Sequence, residues 1–212
     1  LYTVIGTISI TSTAIIYYSI TTPNACTILN TLSLAYSLAG REEKAFALVQ
    51  QGLSINNDFF PFHLNIADRY RHRLQLDNAL HHIERAIALN PPLGHAHEQR
   101  GRLLIALGRY NEAITSLETA LRFAPEQPTT LLYLGMVEGE LKHWTKAVEH
   151  LERAIRQDPG LAVGYAYLAR NLGEIGRVEE AWEAFRMAKK TRAPTYELQA
   201  TEKRLRELGP TL

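Results

Sequence analysis

Residues 131–159 read LLYLGMVEGELKHWTKAVEHLERAIRQDP. Within this stretch Leu151 follows Ala147 by four positions and Ala154 follows it by seven, the spacing of one face of an α-helix. Gly135 lies twelve positions before Ala147, which places it on an earlier helix. Pro159 closes the stretch, because proline lacks the amide proton that a continuing helix needs.

The same residues return every 34 positions on either side. Ala45, Ala79, Ala113, Ala147 and Ala181 form one series, and Gly52, Ala86, Ala120, Ala154 and Ala188 form a second, seven positions later. Between them stand larger apolar side chains, Val49, Ile83, Leu117, Leu151 and Phe185. On the earlier helix Ser33, Ala67, Gly101, Gly135 and Ala169 are followed three positions on by Tyr36, Tyr70, Leu104, Glu138 and Leu172. Gly40, Gly108 and Gly176 separate the two helical stretches and accept the left-handed backbone that ends a helix. Pro91, Pro125 and Pro159 separate successive units. Each unit therefore reads helix, short turn, helix, break.

Small residues at two fixed positions imply close approach: where helix backbones press together, only a hydrogen or a methyl group fits. One such hairpin cannot bury its apolar stripe alone, so neighbours must stack, each contacting mainly the next.

This pattern resembles the tetratricopeptide repeat (TPR) family, a 34-residue helix pair. Leu134, Gly135, Trp144, Ala147, Leu151, Ala154 and Pro159 carry the resemblance most fully. It implies an all-α fold, a right-handed α-solenoid of five units: 26–59, 60–93, 94–127, 128–161 and 162–193. Residues 194–212 read as a C-terminal capping helix with Leu198, Leu205 and Leu208 in one stripe and Glu197, Lys203, Arg204, Arg206 and Glu207 mostly solvated. Some slots depart from the family pattern: Arg100 stands for a Leu, Glu138 for an aromatic residue, and Asn57 and Ala193 for closing prolines. Each departure is expected to weaken one contact and leave the register intact.

The apolar N-terminal segment, residues 1–25, carries no charge over its first twenty positions, LYTVIGTISITSTAIIYYSI. Three readings stand open. Tyr2, Gly6 and Pro23 fall on repeat slots, as in a degenerate repeat helix; the length of the segment also suits a membrane anchor, although its Thr, Ser and Tyr content makes it only weakly apolar. A secretory or lipoprotein signal before Cys26 is the third, and it lacks a basic start. Membrane contact through residues 1–20 follows from the second reading. A cytoplasmic location is favoured slightly, with a membrane-anchored or periplasmic one as the alternative.

The 23 Lys and Arg nearly cancel the 22 Asp and Glu, so no global field draws the chain to nucleic acid. One cysteine, Cys26, excludes an internal disulfide framework and a multi-cysteine zinc site. Nothing near it in sequence lowers its pKa, so it reads as a structural thiol. No phosphate-cradling glycine loop, dinucleotide fingerprint, serine elbow or zinc-protease motif is present, which leaves no catalytic residues, cofactor or metal to assign. Of the eight histidines, His81 and His82 open at about 100° to each other on a helix and cannot chelate as an i, i+4 pair would.

The resemblance further implies that the first helix of each unit lines a concave groove. Its register nominates Asn65, Asp68, Arg71, His72, Glu98, Gln99 and Arg102 from the second and third units, with Tyr133, Met136, Glu140, Tyr167, Arg170 and Glu174 from the fourth and fifth. Tyr133 and Tyr167 share one slot and offer a stacked pair of rigid, amphipathic surfaces. Arg71, Arg102 and Arg170 suit a carboxylate. The expected function is a non-catalytic interaction scaffold or assembly factor that holds a protein or peptide segment with acidic and apolar residues. Alternatives are the docking region of a larger enzyme, an RNA-binding helical repeat, and ordinary solvated side chains at the nominated positions.

Overall fold

The computed structural model describes residues 25–209, so the readings made for residues 1–24 lie outside the described residues. The described residues are all-α, eleven helices with no strand among them, the fold class of a helical-repeat solenoid. They fall into two compact units that part between Pro91 and Pro92.

The first unit holds α1 (Ala25–Leu38), α2 (Glu42–Ile55), α3 (Phe60–His72) and α4 (Leu76–Leu89). The pairs α1–α2 and α3–α4 are hairpins, and α2 packs on α3. Leu29, Val49, Phe62 and Ile66 are buried in one cluster. Gly52 is required there: a Cβ on it would lie 2.1 Å from Phe62 Cζ, so the phenyl ring occupies the space of the missing side chain.

The second unit holds three hairpins and a last helix: α5 (Gly94–Ala106) with α6 (Tyr110–Phe123), α7 (Pro128–Glu140) with α8 (Trp144–Gln157), α9 (Ala162–Glu174) with α10 (Val178–Lys190), and α11 (Thr195–Leu208). Each second helix packs on the first helix of the next hairpin, and α11 lies against both α9 and α10. Leu131, Leu151, Leu168, Leu172 and Phe185 form the main buried cluster.

Ala45, Ala79, Ala113, Ala147 and Ala181 are all at 0% exposure, so the spacing that set the register marks the helix contacts themselves. The second series has a further use. The amides of Asn56, Asn90, Ala124 and Asp158 donate to the carbonyls of Gly52, Ala86, Ala120 and Ala154, which closes the last turn of the first four second helices.

The turn inside each hairpin is one repeated motif. Gly40 N–H donates to Ser37 O and Arg41 N–H to Tyr36 O, the paired bonds of a Schellman cap, and the same two bonds recur at 74–75, 108–109, 142–143 and 176–177. The left-handed position is glycine at Gly40, Gly108 and Gly176, as the sequence predicts, but Leu74 and Lys142 adopt it too, at φ 57° and 63°.

One sequence expectation is corrected, on α11, and the slot of Glu138 shows what replaces the family's aromatic residue. Glu138 is buried and accepts a hydrogen bond from His143 Nδ1 at 2.5 Å, so its slot holds a polar pair where the other units place an aromatic or aliphatic side chain. On α11, Glu197 is buried, whereas the capping reading had it mostly solvated, and Arg204, still partly exposed, is bound to α9. Burial of Thr201 and Leu205 against α9 pulls that polar face inward, with Thr201 Oγ1 donating to Ala166 O at 3.4 Å. Among the described residues no helix is long and apolar enough to cross a membrane.

Candidate functional site

In the first unit, the nominated side chains on α3 are largely engaged with one another. Asn65 Nδ2 donates to Asn30 Oδ1 on α1 at 2.6 Å, Arg71 binds Asp68 at 2.6 Å, and His72 lies 3.4 Å from the same carboxylate. Arg71 is thus already paired.

In the second unit, first helices α5, α7 and α9 carry the rest. Glu98 is buried, with Thr130 Oγ1 donating to it at 2.7 Å and Thr129 Oγ1 at 3.2 Å, so it holds α5 to α7 rather than presenting an open acceptor. Gln99 contacts His95 on its own helix at 3.3 Å. Tyr133 and Tyr167 do not stack on each other. Each ring instead carries an arginine: the Arg102 guanidinium lies 5.1 Å from the Tyr133 centroid, and that of Arg170 lies 4.9 Å from Tyr167. Both are cation–π arrangements that hold a planar charge over an aromatic face.

The two pairs differ in one respect. Glu197 on α11 accepts from Tyr167 Oη at 3.2 Å and from Arg170 at 3.1 Å. Burial, with the neighbouring Glu197 carboxylate second, pushes the Tyr167 phenol above its ordinary range, so it stays protonated and donates. Glu174 is likewise bound by both arms of Arg204, at 2.5 and 3.0 Å, and these bonds hold the Arg204 charge in place. The charged partners Glu197 and Arg204 were missed because their slots lie beyond the fifth unit, where no repeat register assigns a groove position.

A cleft of about 390 Å³ opens between α7, α9 and α11. Met136, Trp144 and Tyr167 supply its apolar and aromatic walls, while Glu140, Lys142 and Arg170 border it. Trp144 and Lys142 escaped nomination because they belong to the turn and the second helix.

A family model described as tetratricopeptide repeat matches residues 64–128 and 98–162. Residues 64–162 are tetratricopeptide repeats. Among curated relatives, the repeats are similar to BBSome complex member BBS4 of Bos taurus, 24% identical over 141 residues, covering 65% of this chain and 26% of that protein. Tetratricopeptide repeat protein 13 of Homo sapiens is 29% identical over 114 residues, covering 53% of this chain and 13% of that protein. The chain therefore spans a minor part of the length of these relatives. Among solved structures, MamA protein superposes with a TM-score of 0.71 at 17% identity, over 90% of this chain and 99% of that one. PilF of Pseudomonas aeruginosa gives 0.75 at 20% identity, over 87% and 84%. YrrB, described as a TPR protein with an unusual peptide-binding site, gives 0.62 at 22% identity, over 76% and 86%. At these identities the likeness establishes the fold of the repeats.

No group of three or more His, Cys, Asp or Glu is placed to hold a metal ion among the described residues. Cys26 is buried at the start of α1, and that burial raises its pKa, which keeps it a thiol.

Proposed function

We propose that the chain is an interaction scaffold whose second unit binds a protein segment across the face made by α5, α7 and α9. Tetratricopeptide repeats and the relatives that share them support a protein-interaction scaffold in general. The description of YrrB as peptide-binding supports a peptide or protein ligand for this chain as well.

The observations that carry the finer reading are the cleft walled by Met136, Trp144 and Tyr167 and, on the same helix as Met136, the Tyr133 ring beneath Arg102. Aromatic side chains held by neighbours give large contact area at low entropy cost, and guanidinium groups give directional bonds to acidic residues. An extended segment with an apolar side chain for the cleft and an acidic one nearby matches both features.

Panning a displayed random-peptide library on the full chain tests the reading. Enrichment of binders is expected, and it should be lost on Met136→Ala/Trp144→Ala, with an unchanged circular dichroism spectrum showing that this variant stays folded. Equal enrichment on the variant would show that binding lies elsewhere.

A further inference from the structure

Arg102 and Tyr133 repeat the chemistry of Arg170 and Tyr167 without the third member. In the second pair, a guanidinium over a tyrosine ring and the phenolic hydroxyl converge on one carboxylate, Glu197, which is only 7% exposed. The chain thereby displays within itself what such a pair holds. In the first pair the arginine comes from the preceding first helix, α5, and stands over the ring at a nearly equal distance.

The reason the first pair lacks an acid is legible in the register. The position 34 residues before Glu197 is Val163, so at that register position α9 carries an apolar side chain where α11 carries a carboxylate. Glu98, one turn back from Arg102, is buried and bound to Thr129 and Thr130. Among the described residues Arg102 has no carboxylate partner. Its ring contact nevertheless restrains the guanidinium, so less freedom is lost when an anion arrives.

We infer that Arg102 and Tyr133 form a binding site for an Asp or Glu side chain of a protein partner, the guanidinium and the phenolic hydroxyl both bonding its carboxylate. This rests on the proposal that the α5–α7–α9 face binds protein segments and adds the chemistry of one subsite. Charge-assisted bonds from a guanidinium and a phenol to one carboxylate are short and directional, so Glu is favoured over the isosteric, neutral Gln.

The test uses the full chain and two probes, a fluorescein-labelled oligoglutamate peptide and its oligoglutamine counterpart, with anisotropy read at low ionic strength, where exposed charges are least screened. Oligoglutamate should bind at least about tenfold more tightly than oligoglutamine. Arg102→Ala should remove that preference. Arg102→Lys, which keeps the charge but loses the planar fork, should remove most of it, and Tyr133→Phe should weaken oligoglutamate binding several-fold while leaving oligoglutamine unchanged. Arg170→Ala should leave the preference intact, because Arg170 is already bound to Glu197. Equal binding of the two probes, or a Glu preference that survives Arg102→Ala, would overturn the inference. Library binders that depend on Trp144 but not on Arg102 would leave the wider reading standing and remove only this subsite.

Discussion

His63 on α3 and His82 on α4 meet Nδ1 to Nδ1 at 3.0 Å, and His63 Nε2 contacts the carbonyl of Asn57 at 2.8 Å. The carbonyl can only accept, so His63 carries its proton on Nε2. Its Nδ1 is then the acceptor for the proton on His82 Nδ1, and both rings are neutral. The Tyr70 ring stacks on His82 at 5.5 Å between centroids, which covers one face of that imidazole.

Acid should therefore loosen the first unit. Burial, with the facing His63 and His81 next, lowers the His82 pKa to about 4; burial first, with the Arg85 and His81 charges further down, lowers that of His63 against the opposing effects of Asn57 and Asp58. Between pH 6.5 and 4 the unfolded chain binds more protons than the folded one, so stability rises with pH across that window and is fully present above it. Because His82 is only partly buried, the loss on going from pH 7 to pH 4 is about 2 kcal/mol rather than the full value of its shift. Urea midpoints against pH check this, and His82→Phe should flatten much of the histidine contribution over the same window. A wild-type midpoint that stays level from pH 7 to pH 4, with other titrations matched in His82→Phe, would show that the pair carries no linkage.

Leu74 is the second test. It holds φ 57° in the Schellman turn between α3 and α4, yet its side chain is 83% exposed and contributes little packing. A left-handed backbone costs a non-glycine residue about 1–2 kcal/mol, partly offset by the freedom that glycine regains on unfolding. Leu74→Gly is expected to stabilise the chain by about 1 kcal/mol, read as a higher denaturant midpoint with an unchanged slope. Gly108→Ala, at the same slot of the third unit, should lower it by a similar amount.

These turns also show how far the sequence carries. Gly40, Gly108 and Gly176 announce the motif because only glycine enters the left-handed region without strain, whereas Leu74 and Lys142 occupy the same slot and leave no signal in composition. The alanine series was legible for a stronger reason: helix contact dictates a small residue whatever its neighbours are. Tyr133, Tyr167, Arg102 and Arg170 were found by slot, since repeat register fixes which face a side chain joins. Their pairing was not. Whether a tyrosine stacks on its counterpart or beneath an arginine depends on rotamers and on the approach of α11, and neither has a period.

Glu138 tests whether a departure from the repeat pattern is costly. Its carboxylate is buried and bound to His143, in a slot where other units place Tyr70, Leu104 or Leu172. A buried polar pair often contributes less than a well-packed apolar side chain, because desolvation offsets the attraction. Glu138→Leu should change stability by under about 1 kcal/mol, and in the stabilising direction if the leucine packs. Glu138→Ala should cost about 3 kcal/mol, through the cavity and the lost partner of His143. Thermal melts of the two variants distinguish a structural pair from a tolerated substitution.

Gly135 and Leu151 supply the closest test of the packing that defines the repeat. A Cβ on Gly135 would lie 2.4 Å from Leu151 Cγ and 3.2 Å from the Ala147 carbonyl oxygen, so α7 and α8 meet where no side chain fits. Ala67 and Ala169 fill the same slot in other units, opposite Ile83 and Phe185, which shows that the slot tolerates a methyl group when the facing side chain has another shape. Gly135→Ala alone should cost about 1–3 kcal/mol through overpacking, despite the higher helix propensity of alanine. Leu151→Ala alone should cost about 3 kcal/mol by leaving a cavity. The pair together should cost at least 1 kcal/mol less than the sum, because the added methyl group enters the space that the leucine vacates. Simple additivity in a double-mutant cycle would mean that the two helices separate to relieve the clash, and that the short interhelix distance is not enforced at this contact.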